Sequence, residues 1–205
     1  MSALLPEAAG FAVAPPADLL HGLALRPPLA GWDGTRYRGS VLDSVRLDEG
    51  RAQAGVVAVV RREHFVGVVA VTPLHARQAL ASMEPAWRGD GRPAHEDPCA
   101  TVGTAEAQER EYIWQPPQAC GDQRVAAWCL DGRLTLWLPA GAGAARALIR
   151  RELAALLDWP AHALQVASWP GITAQAPAHA PAHALDLLDA AADAALLSEA
   201  VGRPV

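Results

Sequence analysis

Lysine is missing altogether: the 17 basic side chains are all arginine, set against 22 Asp and Glu for a formal net charge of −5. With acids in excess, a general nucleic-acid binder driven by phosphate neutralisation is excluded. Long hydrophobic runs are missing as well. Pro, Gly or charge interrupts each apolar stretch well before the roughly 18 residues that a membrane span needs. The opening Met1-Ser2-Ala3-Leu4-Leu5-Pro6-Glu7 has neither a basic start nor a sustained apolar core, so no secretory signal is read there and a cytoplasmic address is expected. Cysteine is scarce. Cys99, Cys120 and Cys129 form no C-x-x-C pair and leave one thiol over in any disulfide scheme, which argues against a zinc site or a disulfide scaffold. What is present is 205 residues, 51% of them hydrophobic, enough for one large domain or two small ones around a buried core.

The first half reads as short strands followed by a helix. Leu19 to Arg26 is a strand candidate stopped by Pro27-Pro28, whose missing amide donors cannot continue a ladder. Residues 29–40 read as loop, and Val41 to Leu47 alternates like a strand with one wet face. Val56 to Val60 and Phe65 to Val71 are β-branched runs that suit buried strands, separated by Arg61-Arg62-Glu63-His64. Thr72-Pro73 then opens a helix, with Thr as N-cap and Pro at the first helical position, and Glu84-Pro85 ends it before an extended piece through Trp87.

Residues 88–104 are polar and turn-rich, the best boundary between two units or equally a long loop wrapped over a single domain. Beyond it, Ala105 to Trp114 suits a strand. Arg124 to Leu130, Asp131-Gly132 and Arg133 to Leu138 spell a hairpin, because Asp-Gly tolerates the positive φ of a two-residue turn. Gly143 to Asp158 is an amphipathic helix with Ala145, Leu148, Ile149, Leu153, Leu156 and Leu157 near one face, and Ala163 to Trp169 is a strand candidate. Residues 170–184 are low in complexity, with Pro177-Ala178-His179-Ala180 repeated as Pro181-Ala182-His183-Ala184. The last helix is expected from about Leu185 to Ala200, with Gly202 as its stop. Strands and helices mixed without a regular βαβ rhythm predict an α+β fold.

Several of these segments, in this order, resemble the large subunits of the xanthine dehydrogenase and aldehyde oxidase family, nearest the isoquinoline 1-oxidoreductase beta and nicotinate dehydrogenase branch. Leu19 to Pro28, Ala54 to Val60, Phe65 to Ala70, the helix from Pro73 to Met83 and Pro85-Ala86-Trp87 are similar to the family's a/b hammerhead domain. Tyr112 to Gln118, Asp131 to Trp137 and Ala191 to Val205 resemble the first part of its molybdopterin-binding domain. The resemblance implies a tail at 1–16, a hammerhead-like domain at 17–90, a linker at 91–104, and a partial molybdopterin-binding-like domain at 105–205 carrying the low-complexity insertion at 170–184. It places Gln115, Gln118 and Gly121 where a pterin cofactor would be held, the glutamines as amide donors and Gly121 as an accessible backbone amide.

The departures matter too. Family large subunits are several times longer, the catalytic Glu has no counterpart here, and of the family's Gly-rich loop only Gly171 remains. The expectation is a truncated or split relative of a molybdenum hydroxylase large subunit, inactive alone. Molybdopterin would be bound only in a larger assembly with a [2Fe–2S] small subunit and a complementary large-subunit chain. The alternative is a non-catalytic binding or structural module that kept the fold and lost the cofactor.

Other chemistry-bearing residues read as structural. His179 and His183 have a metal-chelating spacing, but Pro177 and Pro181 bracket them, so a flexible insertion is the better reading. Asp186, Asp189 and Asp193 share one helix face, read as solvated or as favourable charge near a helix N-terminus rather than a cation site. Cys129 falls inside a strand, where a buried inert thiol is the usual occupant, and Cys120 is the more reactive candidate. The seven Trp are expected as core or interface anchors.

Overall fold

The computed structural model describes residues 14–28, 30–32, 37–89, 124–173 and 181–205. The first unit is built around a three-stranded antiparallel sheet of β1 (His21–Ala24), β6 (Phe65–Ala70) and β5 (Val56–Arg62), with β6 in the middle. That position explains the Val-rich composition of β6. Val66, Val68 and Ala70 face the helix α2 (Pro73–Ser82), packing with Ala76, Ala79 and Met83, while Val69 points to the other side and packs with Leu197. A strand covered on both faces needs apolar side chains at consecutive positions.

α2 begins as its sequence dictates. Thr72 Oγ1 accepts from the His75 backbone N–H at 3.2 Å, and Pro73 occupies the first turn, where an amide donor would have no partner. The His75 ring lies against Gly55, which has φ +74°; a Cβ there would fall 2.0 Å from His75 Nδ1, so both backbone angle and space demand glycine.

Two local expectations are corrected in this unit. Residues 29–40 are not simply loop, because β2 (Ala30–Trp32) and β3 (Tyr37–Gly39) pair as an antiparallel ribbon. The strand expected over Val41 to Leu47 ends early as β4 (Val41–Ser44), which pairs with β7 (Ala86–Arg88). Leu47 instead begins a short helix, α1 (Leu47–Arg51), whose Asp48 and Glu49 suit the positive end of its first turn.

The second unit is a sheet in the order β10-β9-β8. β8 (Ala126–Leu130) and β9 (Arg133–Ala140) form the expected hairpin, with Asp131 at φ 49° and Gly132 at φ 71°, both positive as a primed turn requires. α3 (Gly143–Leu157) then crosses over to β10 (Leu164–Thr173), which lies parallel to β9. One βαβ unit is thus present within the α+β arrangement. On α3, Ala145, Ile149, Leu153 and Leu157 are buried as predicted, whereas Leu156 is 47% exposed: it lies off that seam.

α4 (Pro181–Val201) starts earlier than expected, with Pro181 at its first helical position, and Gly202 at φ 64° follows its end. It belongs to two cores at once. Leu187, Ala191, Ala194 and Ala195 pack with α3 and with Leu134, Leu136 and Leu138, while Leu197 packs with Leu20, Val69 and Val205. After α4, the Ala127 and Val205 backbones exchange both hydrogen bonds, at 2.8 and 3.0 Å, as an antiparallel pair. The Leu20 N–H donates to the Pro204 carbonyl at 2.9 Å. The 204–205 segment therefore lies between the edge of β8 and the chain entering β1, stitching the two units together.

Candidate functional site

A set of polar contacts gathers where α4 crosses both units. Ser198 is the centre of it. Its spacing from Leu187, Ala191 and Ala195 puts it on the buried stripe of the helix, and it is fully buried. The Cys129 backbone N–H donates to Ser198 Oγ at 2.8 Å, and the Ser198 hydroxyl donates to the Arg203 carbonyl at 2.7 Å. One hydroxyl thus satisfies an edge amide of β8 and a carbonyl of the turn after α4.

Cys129 beside it is not a nucleophile. Burial pushes its thiol up to about 12, helped by the negative charge of Glu199 and only partly offset by the Ser198 hydrogen bond. Its Sγ donates to the Ala195 carbonyl at 3.5 Å. A thiol held protonated in this way is chemically quiet at neutral pH.

Farther up the same helix, Asp193 meets the Arg26 guanidinium at 2.5 Å. Burial raises the Asp193 carboxyl to about 7, with Arg26 opposing that rise and Asp189 adding to it. Asp189 is raised too, again by burial first. The face carrying Asp189 and Asp193 is therefore a partly buried junction rather than the solvated surface expected from sequence. Arg62 donates to Glu199 at 2.8 Å, so a second arginine of the first unit also reaches α4.

The opposite face of the β8–β9–β10 sheet is aromatic. Trp137 is 4% exposed and packs with Ala126 and Ala167, and Trp128 and Trp169 lie beside them. Trp87 and Trp159 sit against the other cores, as anchors should. The Nε1 atoms of Trp128 and Trp137 are buried and without a hydrogen-bond partner.

Gln115, Gln118 and Gly121, the positions singled out by resemblance for the cofactor, lie outside the described residues, as do Cys99, Cys120 and His179. Gly171 is described, in the irregular stretch between Trp169 and Thr173. Its φ is +79°, but a Cβ there would meet nothing within 4 Å. The glycine serves a backbone bend, and no close approach of a neighbouring described residue requires it. Nor do the described residues bring three or more His, Cys, Asp or Glu together as a metal-binding group. Two open depressions are surface hollows: one of about 390 Å³ lined mostly by α1 residues, and one of about 350 Å³ beside the β8–β9 turn. What the described residues form is a tightly satisfied structural junction.

Sequence reasoning missed Ser198, Arg26 and Arg62 as junction residues. For Ser198 the signal was available, since a single hydroxyl sits on an otherwise apolar stripe; for the arginines none exists, because their partners are more than a hundred residues away in the chain.

Comparison with known proteins sets this architecture in context. No family model matches the chain. The chain is 30% identical over 213 aligned positions to a nicotinate dehydrogenase subunit of Pseudomonas putida, covering 92% of this chain and 17% of that protein. Quinoline 2-oxidoreductase from Pseudomonas putida 86 superimposes with a TM-score of 0.58 at 17% identity, over 94% of this chain and 31% of that one. The two units share their fold with part of an oxidoreductase chain. The likeness spans both units, and this chain corresponds to well under half the length of either relative. No helix among the described residues is long and apolar enough to cross a membrane.

Proposed function

We propose that this chain is a scaffold part of a molybdenum-hydroxylase-type oxidoreductase, similar to part of its large subunit, that does not carry out the redox step alone. The parent chemistry is oxidative hydroxylation of an N-heterocycle or an aldehyde. In that assembly molybdopterin is held jointly with a complementary large-subunit chain, with Gln115, Gln118 and Gly121 as this chain's contribution, and a [2Fe–2S] subunit takes the electrons.

The observation that carries this reading is the continuity of the likeness. It runs through both units in one order, over 92% of the chain in sequence and 94% in structure. A module that had drifted to an unrelated role would have no need to keep both units and the junction between them, and α4 locks that junction with buried Leu197 and Ser198.

Affinity purification of the tagged chain from its own cells, without denaturant, tests the proposal. The expected result is co-purification with a chain showing the visible absorption of [2Fe–2S] centres. Recovery only as a lone, colourless monomer would overturn it in favour of a stand-alone structural or binding module.

A further inference from the structure

The two units meet through a knob and a socket. Leu197, 1% exposed, projects from α4 against the β1–β6 face of the first unit. Two glycines there leave the space it fills. A Cβ at Gly22 would stand 2.6 Å from Leu197 Cδ1 and 2.7 Å from Val205 Cγ1, and one at Gly67 would stand 2.8 Å from Leu197 Cδ2. β1 pairs with β6 so that Gly22 lies opposite Val69 and Ala24 opposite Gly67, which puts both glycines on one face of the sheet. Glycine in a strand interior weakens the strand unless something approaches closely; here a leucine does.

Around this knob, the cross-unit contacts are complementary. Arg26 and Arg62 of the first unit pair with Asp193 and Glu199 of α4, Arg203 lies 3.8 Å from Asp18, and Leu20 donates its N–H to Pro204. Leu20, Val69, Leu197 and Val205 form one buried cluster. Apolar centre, charged rim and a backbone hydrogen bond are the parts of a specific protein–protein interface.

We propose that the glycine face of β1–β6 is a self-sufficient docking surface for α4 and the 204–205 segment, so that the second unit can be supplied in trans as a separate polypeptide. The covalent link through residues 90–123 is then dispensable once the chain has folded. The inference concerns this chain's own interface and does not depend on the oxidoreductase assembly, whose test reads a different partner.

The test uses the whole folded chain, with a protease recognition sequence inserted between Ala100 and Thr101 and cut after purification. The two pieces are expected to stay together in native gel filtration and to part only in denaturant. Leu197→Ala in the same background is expected to raise their dissociation constant about tenfold or more, as truncation of a buried leucine does. Leu156→Ala, at a residue 47% exposed on α3, is expected to leave it unchanged. Separation of the two pieces of the cut parent chain under native conditions would overturn the proposal. So would equal dissociation constants for the Leu197→Ala and Leu156→Ala chains. Should Leu197→Ala fail to fold, the behaviour of the cut parent chain decides alone.

Discussion

Asp193 and Arg26 sit 2.5 Å apart across the junction between the two units, and the carboxylate remains costly to keep charged there. Burial outweighs the guanidinium and lifts Asp193 to about 7 from an ordinary 3.8. A raised carboxyl means that the folded state holds its proton where the unfolded state has lost it. Between about pH 4 and 7, stability contributed by this group therefore falls as pH rises, and above 7 the loss is complete. Denaturant titrations of the parent and of Asp193→Asn check this. The parent is expected to lose stability relative to the variant as pH rises through that window, with a flat difference beyond it. A parent that gains on the variant over the same window would show the Arg26 attraction to be dominant instead.

Ser198 satisfies two backbone groups from one buried hydroxyl. In Ser198→Ala the buried Cys129 amide loses its partner away from water, and the partly buried bond to the Arg203 carbonyl is lost as well. The buried loss costs about 1–3 kcal/mol, so the variant is expected to unfold at clearly lower denaturant with an unchanged slope. A change within about 0.5 kcal/mol, the range of an ordinary surface substitution, would contradict the assignment.

Cys129 is expected to resist alkylation in the folded protein. In a Cys99→Ser, Cys120→Ser background, which leaves it as the sole thiol, labelling by a thiol reagent at neutral pH should proceed only as fast as the chain opens. Burial and the nearby Glu199 charge, which hold its thiol at about 12, are the cause. Labelling at the rate of an exposed cysteine would contradict this.

Much of the fold was legible in the sequence because its signals are local. The Asp131-Gly132 turn, the Thr72-Pro73 helix start and the 3–4 spacing along α3 each dictate conformation within a few residues. α1 escaped because its five residues are too few for a helical period and follow directly on an alternating stretch. The β2–β3 ribbon escaped because its strands are three residues each and rich in glycine. The start of α4 was misplaced because Pro181 reads equally as a breaker and as a first-turn residue.

The junction was less legible. Gly22 and Gly67 look like weak strand residues until Leu197, more than a hundred residues on, is placed against them. Asp193 looks solvated until Arg26 is brought to it. Such pairings are fixed by tertiary packing, which neither propensity nor spacing encodes. The positions named for a cofactor, Gln115, Gln118 and Gly121, rest on resemblance alone and fall outside the described residues.

Elemental analysis of the purified 205-residue chain, produced in cells able to make molybdopterin, asks most directly whether it supplies the scaffold of a molybdenum-hydroxylase-type enzyme without the redox centre. Neither molybdenum nor iron is expected in stoichiometric amount. One molybdenum per chain, retained through gel filtration by this polypeptide alone, would contradict that role.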